Sequence, residues 1–142
     1  MKIIALNTSE RKGTQKRPQD SVVLIENHGI EGDAHAGKWH RQISFLGQEC
    51  ITEFNEQGAA VKPGAFGENI IVDGVDFTTL PIGTKVLCNG TEMEITQIGK
   101  ECHTRCQIYF KMGDCIMPRN GVFAQVNKGG TISVGDTVEI IK

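Results

Sequence analysis

No sign of charge dominates this sequence of 142 residues: 15 lysines and arginines stand against 17 aspartates and glutamates, a formal net charge of −2. A chain this close to neutral has no global field to draw it onto nucleic acid, so nonspecific nucleic-acid binding is excluded, and any anion site has to be built locally. Long apolar runs are missing as well. After Lys2 the opening residues hold only a short apolar stretch before charge returns at Glu10, too little for a signal peptide or a membrane span. A cytoplasmic protein without membrane attachment is therefore expected. The sequence also lacks a repeat of constant period, a low-complexity tract and a linker-like shift in composition, so residues 1–142 are read as one domain.

Cysteine is present, but not in the pattern of a disulfide framework. Cys50, Cys88, Cys102, Cys106 and Cys115 form an odd set of 5 in a chain that is long enough to hold itself together without staples. Reduced thiols are the simpler reading. Cys50 and Cys88 stand singly among apolar or strand-like residues and read as small buried hydrophobes.

What is there reads as mainly β, a mixed β barrel with few short helices. Seventeen glycines mark frequent turns. Between them lie short β-branched runs at residues 3–6, 22–25, 43–46, 70–72, 86–88, 93–98 and 132–141, and the last run, divided at Gly135-Asp136, predicts a closing hairpin. One helix is expected over residues 48–57, where Cys50, Ile51 and Phe54 can share a face before Gly58 stops it. Four loops, residues 9–19, 29–42, 63–69 and 99–121, are then the places where a rigid frame could present chemistry.

The strongest local signal lies in residues 99–118, which gather Cys102, Cys106 and Cys115 among Lys100, His103, Arg105 and Lys111. Cations near a thiol stabilise the thiolate, the form that attacks or binds metal, while Glu101 and Asp114 partly offset them. Such a thiolate can accept sulfur as a persulfide, form a transient disulfide or bind a soft metal. Two other readings stand beside these: a structural zinc held by Cys102, Cys106, Cys115 and a histidine, and three inert core thiols.

The second loop offers Asp33, His35, His40 and Arg41 to an anion or, less naturally given their spacing, to a metal, with Trp39 able to stack on a planar ring or to cap the core. In the first loop Lys12 and Lys16 flank a glycine without completing a Walker phosphate loop. In the third, Glu68 and Asn69 stand at a strand start, where a solvated carboxylate is the plain reading and an acid–base role the sharper one.

Taken in order, residues 29–37 with 40–46, then 64–70, then 80–83, then 102–106 and 113–123 resemble the MOSC domain family, named from the C-terminal domain of molybdenum-cofactor sulfurase, in its short standalone bacterial form. The resemblance covers nearly the whole chain. It implies a β barrel that binds the molybdenum cofactor (molybdopterin) or a related ligand, and a cysteine proposed to carry sulfur or to ligate the metal. That cysteine maps most naturally to Cys106, with Cys102 and Cys115 as close competitors. Lys12, Lys16, His40, Arg41 and Arg119 suit a pterin phosphate, and Asp33, His35, Glu68 and Asn69 join them as cofactor-binding candidates. No sulfur donor is encoded in the chain, so a separate protein such as a cysteine desulfurase would supply it, with molybdenum-cofactor biosynthesis or acceptor proteins as further partners. The same resemblance allows a molybdenum-dependent reductase of N-hydroxylated compounds, which would need an external electron donor because no flavin, haem or iron–sulfur motif is present. A non-catalytic binding module with a structural zinc is the third alternative.

Overall fold

The computed structural model describes residues 1–9, 17–34, 36–39, 41–56, 68–98 and 122–142. Their strands are β1 (Ile3–Thr8), β2 (Arg17–Gln19), β3 (Ser21–Ile25), β4 (Gly29–Ile30), β5 (Ile43–Gly47), β6 (Ile70–Val72), β7 (Lys85–Cys88), β8 (Thr91–Ile98), β9 (Val122–Lys128), β10 (Gly130–Ser133) and β11 (Val138–Ile141). One helix, α1 (Gln48–Glu56), follows β5 directly, and a 3-10 turn covers Phe77–Thr79. The mainly β expectation holds, and so does the helix, which ends at Glu56.

The strands form an eight-stranded sheet in the order β11-β7-β8-β9-β5-β6-β1-β2 and a three-stranded sheet in the order β10-β3-β4. The larger sheet is mixed, since β5 and β6 run parallel while its other pairs are antiparallel. Among the described residues it is not closed into the barrel that the sequence led us to expect. The start of β1, next to one edge, nevertheless meets the turn that leads into β11 at the other, because Ile3 N–H donates to Asp136 O at 3.0 Å and Gly135 N–H to Ile3 O at 2.8 Å.

The predicted closing hairpin is corrected. β10 pairs with β3 and β11 with β7, so the turn at residues 134–136 carries the chain from one sheet to the other. Asp136 fixes that crossing: its Oδ2 accepts from Ser133 N–H at 2.8 Å. Two loop expectations shrink as well, for Arg17–Gln19 is an edge strand opposite the end of β1, and Gly29–Ile30 pairs with β3. Gly29 is required there: its φ is +120°, and a Cβ would meet Gln42 O at 2.8 Å.

The main core lies on one face of the large sheet, where Leu6, Phe45, Ile70, Val86, Met93, Ile95, Val122 and Ala124 meet Leu24 and Ile132 of the small one. Phe45 and Phe77 stack with ring centroids 5.0 Å apart. The strands in the middle are buried on their reverse face too, as the unbroken burial of β5 shows. Leu46, Ile71 and Ile51 are buried outside the main core, and α1 packs on β5, so the helix covers that reverse face.

Candidate functional site

Strand register builds a site that no stretch of sequence displays. On the reverse face, beyond the apolar patch under α1, Gln97 of β8 stands opposite Phe123 of β9, and Phe123 stands opposite Ser44 of β5. The next step is made by side chains. Asn69, just before β6, accepts from Ser44 N–H at 3.0 Å and from Ser44 Oγ at 3.2 Å through its Oδ1. Its Nδ2 donates to Asn7 O at 3.1 Å, and its own carbonyl accepts from Asn7 N–H at 2.7 Å. Gln97, Phe123, Ser44, Asn69 and Asn7 thus form one row across five strands. Ser44, Asn69 and Asn7 in it are buried polar residues.

Such a row is costly unless its polar groups are paired. Asn69 meets that requirement by extending the hydrogen-bond ladder from both neighbours at once. Asn7 does not: among the described residues, neither its Nδ2 nor its Oδ1 has a partner, although the side chain is 0% exposed. Opposite Asn7 on the far side stands Pro18, which has no N–H to offer.

The four cofactor-binding candidates that the structure describes surround this row. Asn69 belongs to it, between Ser44 and Asn7. Glu68, the residue before it, is wholly buried and engaged with a neighbour. Asp33 is buried and tied to the end of β1: its Oδ1 accepts from Ser9 N–H at 3.1 Å, while Ala34 N–H donates to Ser9 O at 2.7 Å. Arg41 lies at the other end, its Nε donating to Gln97 Oε1 at 3.0 Å and its guanidinium carbon 5.4 Å from the Phe123 ring centroid. This cation–π contact fixes the guanidinium plane while leaving further N–H groups for an acceptor. Trp39, by contrast, is 37% exposed and does not cap the core.

Lys12, Lys16, His35, His40, Cys102, Cys106, Cys115 and Arg119 lie outside the described residues, and so do the zinc knot and the basic first loop. Among the described residues, no group of three or more His, Cys, Asp or Glu is placed to hold a metal ion. The anchors of two of these segments are described. The cysteine-bearing stretch joins Ile98 to Val122, which stand opposite each other one residue from Gln97 and Phe123. The basic stretch joins Ser9 to Arg17, beside Asn7 at the row's other end. The described anchors of the two segments therefore lie beside the two ends of the polar row.

Sequence reasoning passed over Asn7, Ser44, Gln97 and Phe123. The one available signal was an asparagine that follows the apolar run within β1, in a strand where asparagine is disfavoured and its presence asks for a reason.

Gln42 supports the site from outside. Wholly buried, it accepts from Val126 N–H at 3.0 Å and donates to Asn27 Oδ1 at 3.3 Å, so it holds β9 against the start of β5. Gln42→Leu keeps the bulk and strands the Val126 N–H, which is expected to cost about 1–3 kcal/mol in urea unfolding. A loss below about 0.5 kcal/mol would show that the amide finds another partner.

Comparison with known proteins places this geometry. The MOSC domain profile matches residues 32–139. No curated protein sequence matches the chain. Among solved structures, the YuaD protein from Bacillus subtilis superposes with a TM-score of 0.81 at 20% identity, over 98% of this chain and 94% of that one. YiiM from Geobacillus stearothermophilus gives 0.73 at 18% identity, over 99% and 75%. YiiM from Escherichia coli gives 0.67 at 18% identity, over 100% and 70%. At these identities the structures establish a shared fold.

Proposed function

The chain belongs to the MOSC domain family, and on that premise we propose that it is a molybdenum-cofactor handling protein that binds a molybdopterin-type ligand and carries sulfur on Cys106. The family is one linked to binding of the molybdenum cofactor. The observation that carries the reading is the anchoring of the cysteine-bearing segment at Ile98 and Val122, beside the Gln97–Phe123 end of a buried polar row. The segment that carries Cys106 is anchored at the end of the row where Arg41 meets Gln97 and Phe123. The donor set suits a pterin: the open carboxamide of Asn7 for its hydrogen-bonding ring, Arg41 among the described residues for its phosphate, and Lys12, Lys16 and Arg119 beyond them. When bound, the cofactor supplies a metal centre able to accept sulfur.

The protein's own chemistry is thiol exchange. The Cys106 thiolate attacks the terminal sulfur of a persulfide on a separate donor, such as a cysteine desulfurase; the donor's S–S bond breaks, and its cysteine leaves as a thiolate. A neutral sulfur atom has then moved, with no net oxidation. If Cys102 or Cys115 attacks the Cys106 sulfur instead, hydrosulfide leaves, a disulfide remains, and a thiol reductant must reset the pair.

The test is intact-mass measurement after incubation with a cysteine desulfurase and cysteine. One added sulfur is expected on the wild-type chain, none on Cys106→Ser, and hydrosulfide release should fall in Cys102→Ser or Cys115→Ser. Absence of the adduct on folded wild-type protein rejects the carrier role. Stoichiometric molybdenum in the purified protein, with the adduct absent, would point to the reductase of N-hydroxylated compounds, and stoichiometric zinc to the binding module.

A further inference from the structure

We infer that Asn7 reads the ligand directly, as a bidentate partner for a planar donor–acceptor edge of the lactam type, such as the pyrimidinone ring of a pterin or of guanine. The inference rests on the reading that this row binds a cofactor, and assigns a residue that neither the loop pattern nor the cysteine segment marks.

Asn7 stands apart by what it leaves unpaired. A buried carboxamide ordinarily satisfies both ends, as the neighbouring Asn69 does with Ser44 and Asn7 O. Asn7 satisfies neither end among the described residues, and it has no exposed surface through which bulk water could do so. Its backbone is fully committed on the Asn69 side, so the side chain is held in place beside a rigid partner.

The pairing that would relieve it is specific. A phosphate offers acceptors only, which suits the Nδ2 end and leaves Oδ1 facing negative charge. A metal cation reverses that mismatch. A ring with an adjacent N–H and C=O matches both ends in one plane, whichever way the carboxamide is turned, in the manner by which asparagine reads a base edge. The neighbours favour the same class: Ser44 and Asn69 spend their polar atoms on each other and on backbone, leaving Asn7 as the row's open donor–acceptor pair. Since Asn7 is wholly covered in the ligand-free fold, a ligand reaches it through a local opening, and association slower than an open-cleft encounter is expected.

Removing an orphan should not harm the empty protein. Asn7→Leu, nearly isosteric, deletes both unpaired atoms; its melting temperature is expected to equal or exceed that of wild type, while affinity for 6-hydroxymethylpterin, followed by its fluorescence, falls about 10-fold or more. Asn7→Asp, which trades the donor for an acceptor, should lose a similar factor. Guanosine monophosphate and inorganic phosphate serve as competitors: displacement by the nucleotide alone identifies a guanine ligand as the source of the edge, and resistance to both identifies the pterin. Equal pterin affinity in wild type and both variants overturns the role of Asn7 and leaves the cofactor reading standing. A folded wild type that binds neither pterin nor nucleotide overturns both. A lower melting temperature in Asn7→Leu also overturns the inference, because it would mean that the carboxamide is a structural group.

Discussion

Asn69→Leu is expected to destabilise the protein by about 2–5 kcal/mol and to lower its melting temperature by roughly 10 °C. The substitution keeps the side chain's bulk, so the loss comes from hydrogen bonding. Ser44 N–H loses its acceptor at 3.0 Å and Asn7 O loses its donor at 3.1 Å, both in the buried centre of the large sheet. Each stranded backbone group costs on the order of 1–3 kcal/mol, because water cannot reach it. Asn69→Asp separates the two halves of that cost. It keeps an acceptor for Ser44 but removes the donor to Asn7 O, so it should fall between wild type and leucine. Urea unfolding of the three proteins measures this order, and equal stabilities would mean that the Asn69 bridge is dispensable. The same substitution should weaken pterin binding, since Asn69 holds the backbone of Asn7 in place.

The contrast between Asn69 and Asn7 shows what could and could not be read from the chain. Strand positions follow from local alternation and β-branching, so β6 was legible from Ile70, Ile71 and Val72 alone, and α1 from the face that Ile51 shares. Asn69 itself was legible as a polar residue entering a strand. Closure and pairing were not. β10 and β11 alternate as a hairpin would, yet their partners are β3 and β7, far away in sequence. A four-residue strand carries too little information to choose between the neighbour next to it and one across the molecule, and tertiary packing decides.

The polar row has the same origin. Asp33, Arg41, Glu68 and Asn69 sit in or beside loops rich in glycine and charge, which draw attention. Asn7, Ser44, Gln97 and Phe123 sit inside or beside ordinary strands, and nothing local distinguishes Ser44 from any outward-facing serine. Their alignment exists only through the registers of β8 with β9, β9 with β5 and β6 with β1, together with the Asn69 bridge. Glycine and charge locate the rim of a site, whereas its floor is set by long-range pairing.

Alkaline unfolding should single out Cys88. Its thiol is buried at 2% exposure, and burial, helped by the negative charge of Asp136, pushes its pKa from an ordinary 9.0 to about 11. Below pH 9 the folded and unfolded chains both hold the proton, and the protein has its full stability. As pH rises through 9, the unfolded chain releases the proton while the fold keeps it, so stability falls until about pH 11. The total is on the order of 3 kcal/mol for a shift of about two units. Other groups titrate in this window, so the measurement is a difference: the urea stability of wild type should fall more steeply between pH 9 and 11 than that of Cys88→Ala. Parallel curves would mean that the thiolate is tolerated in place. The direction of the shift also bears on sulfur transfer. At neutral pH a thiol of this kind is protonated and sealed among core side chains, so it should resist iodoacetamide in the folded protein and accept no sulfur from a persulfide donor. Retention of the single-sulfur adduct in Cys88→Ala, beside its loss in Cys106→Ser, would assign the chemistry to the segment between Ile98 and Val122.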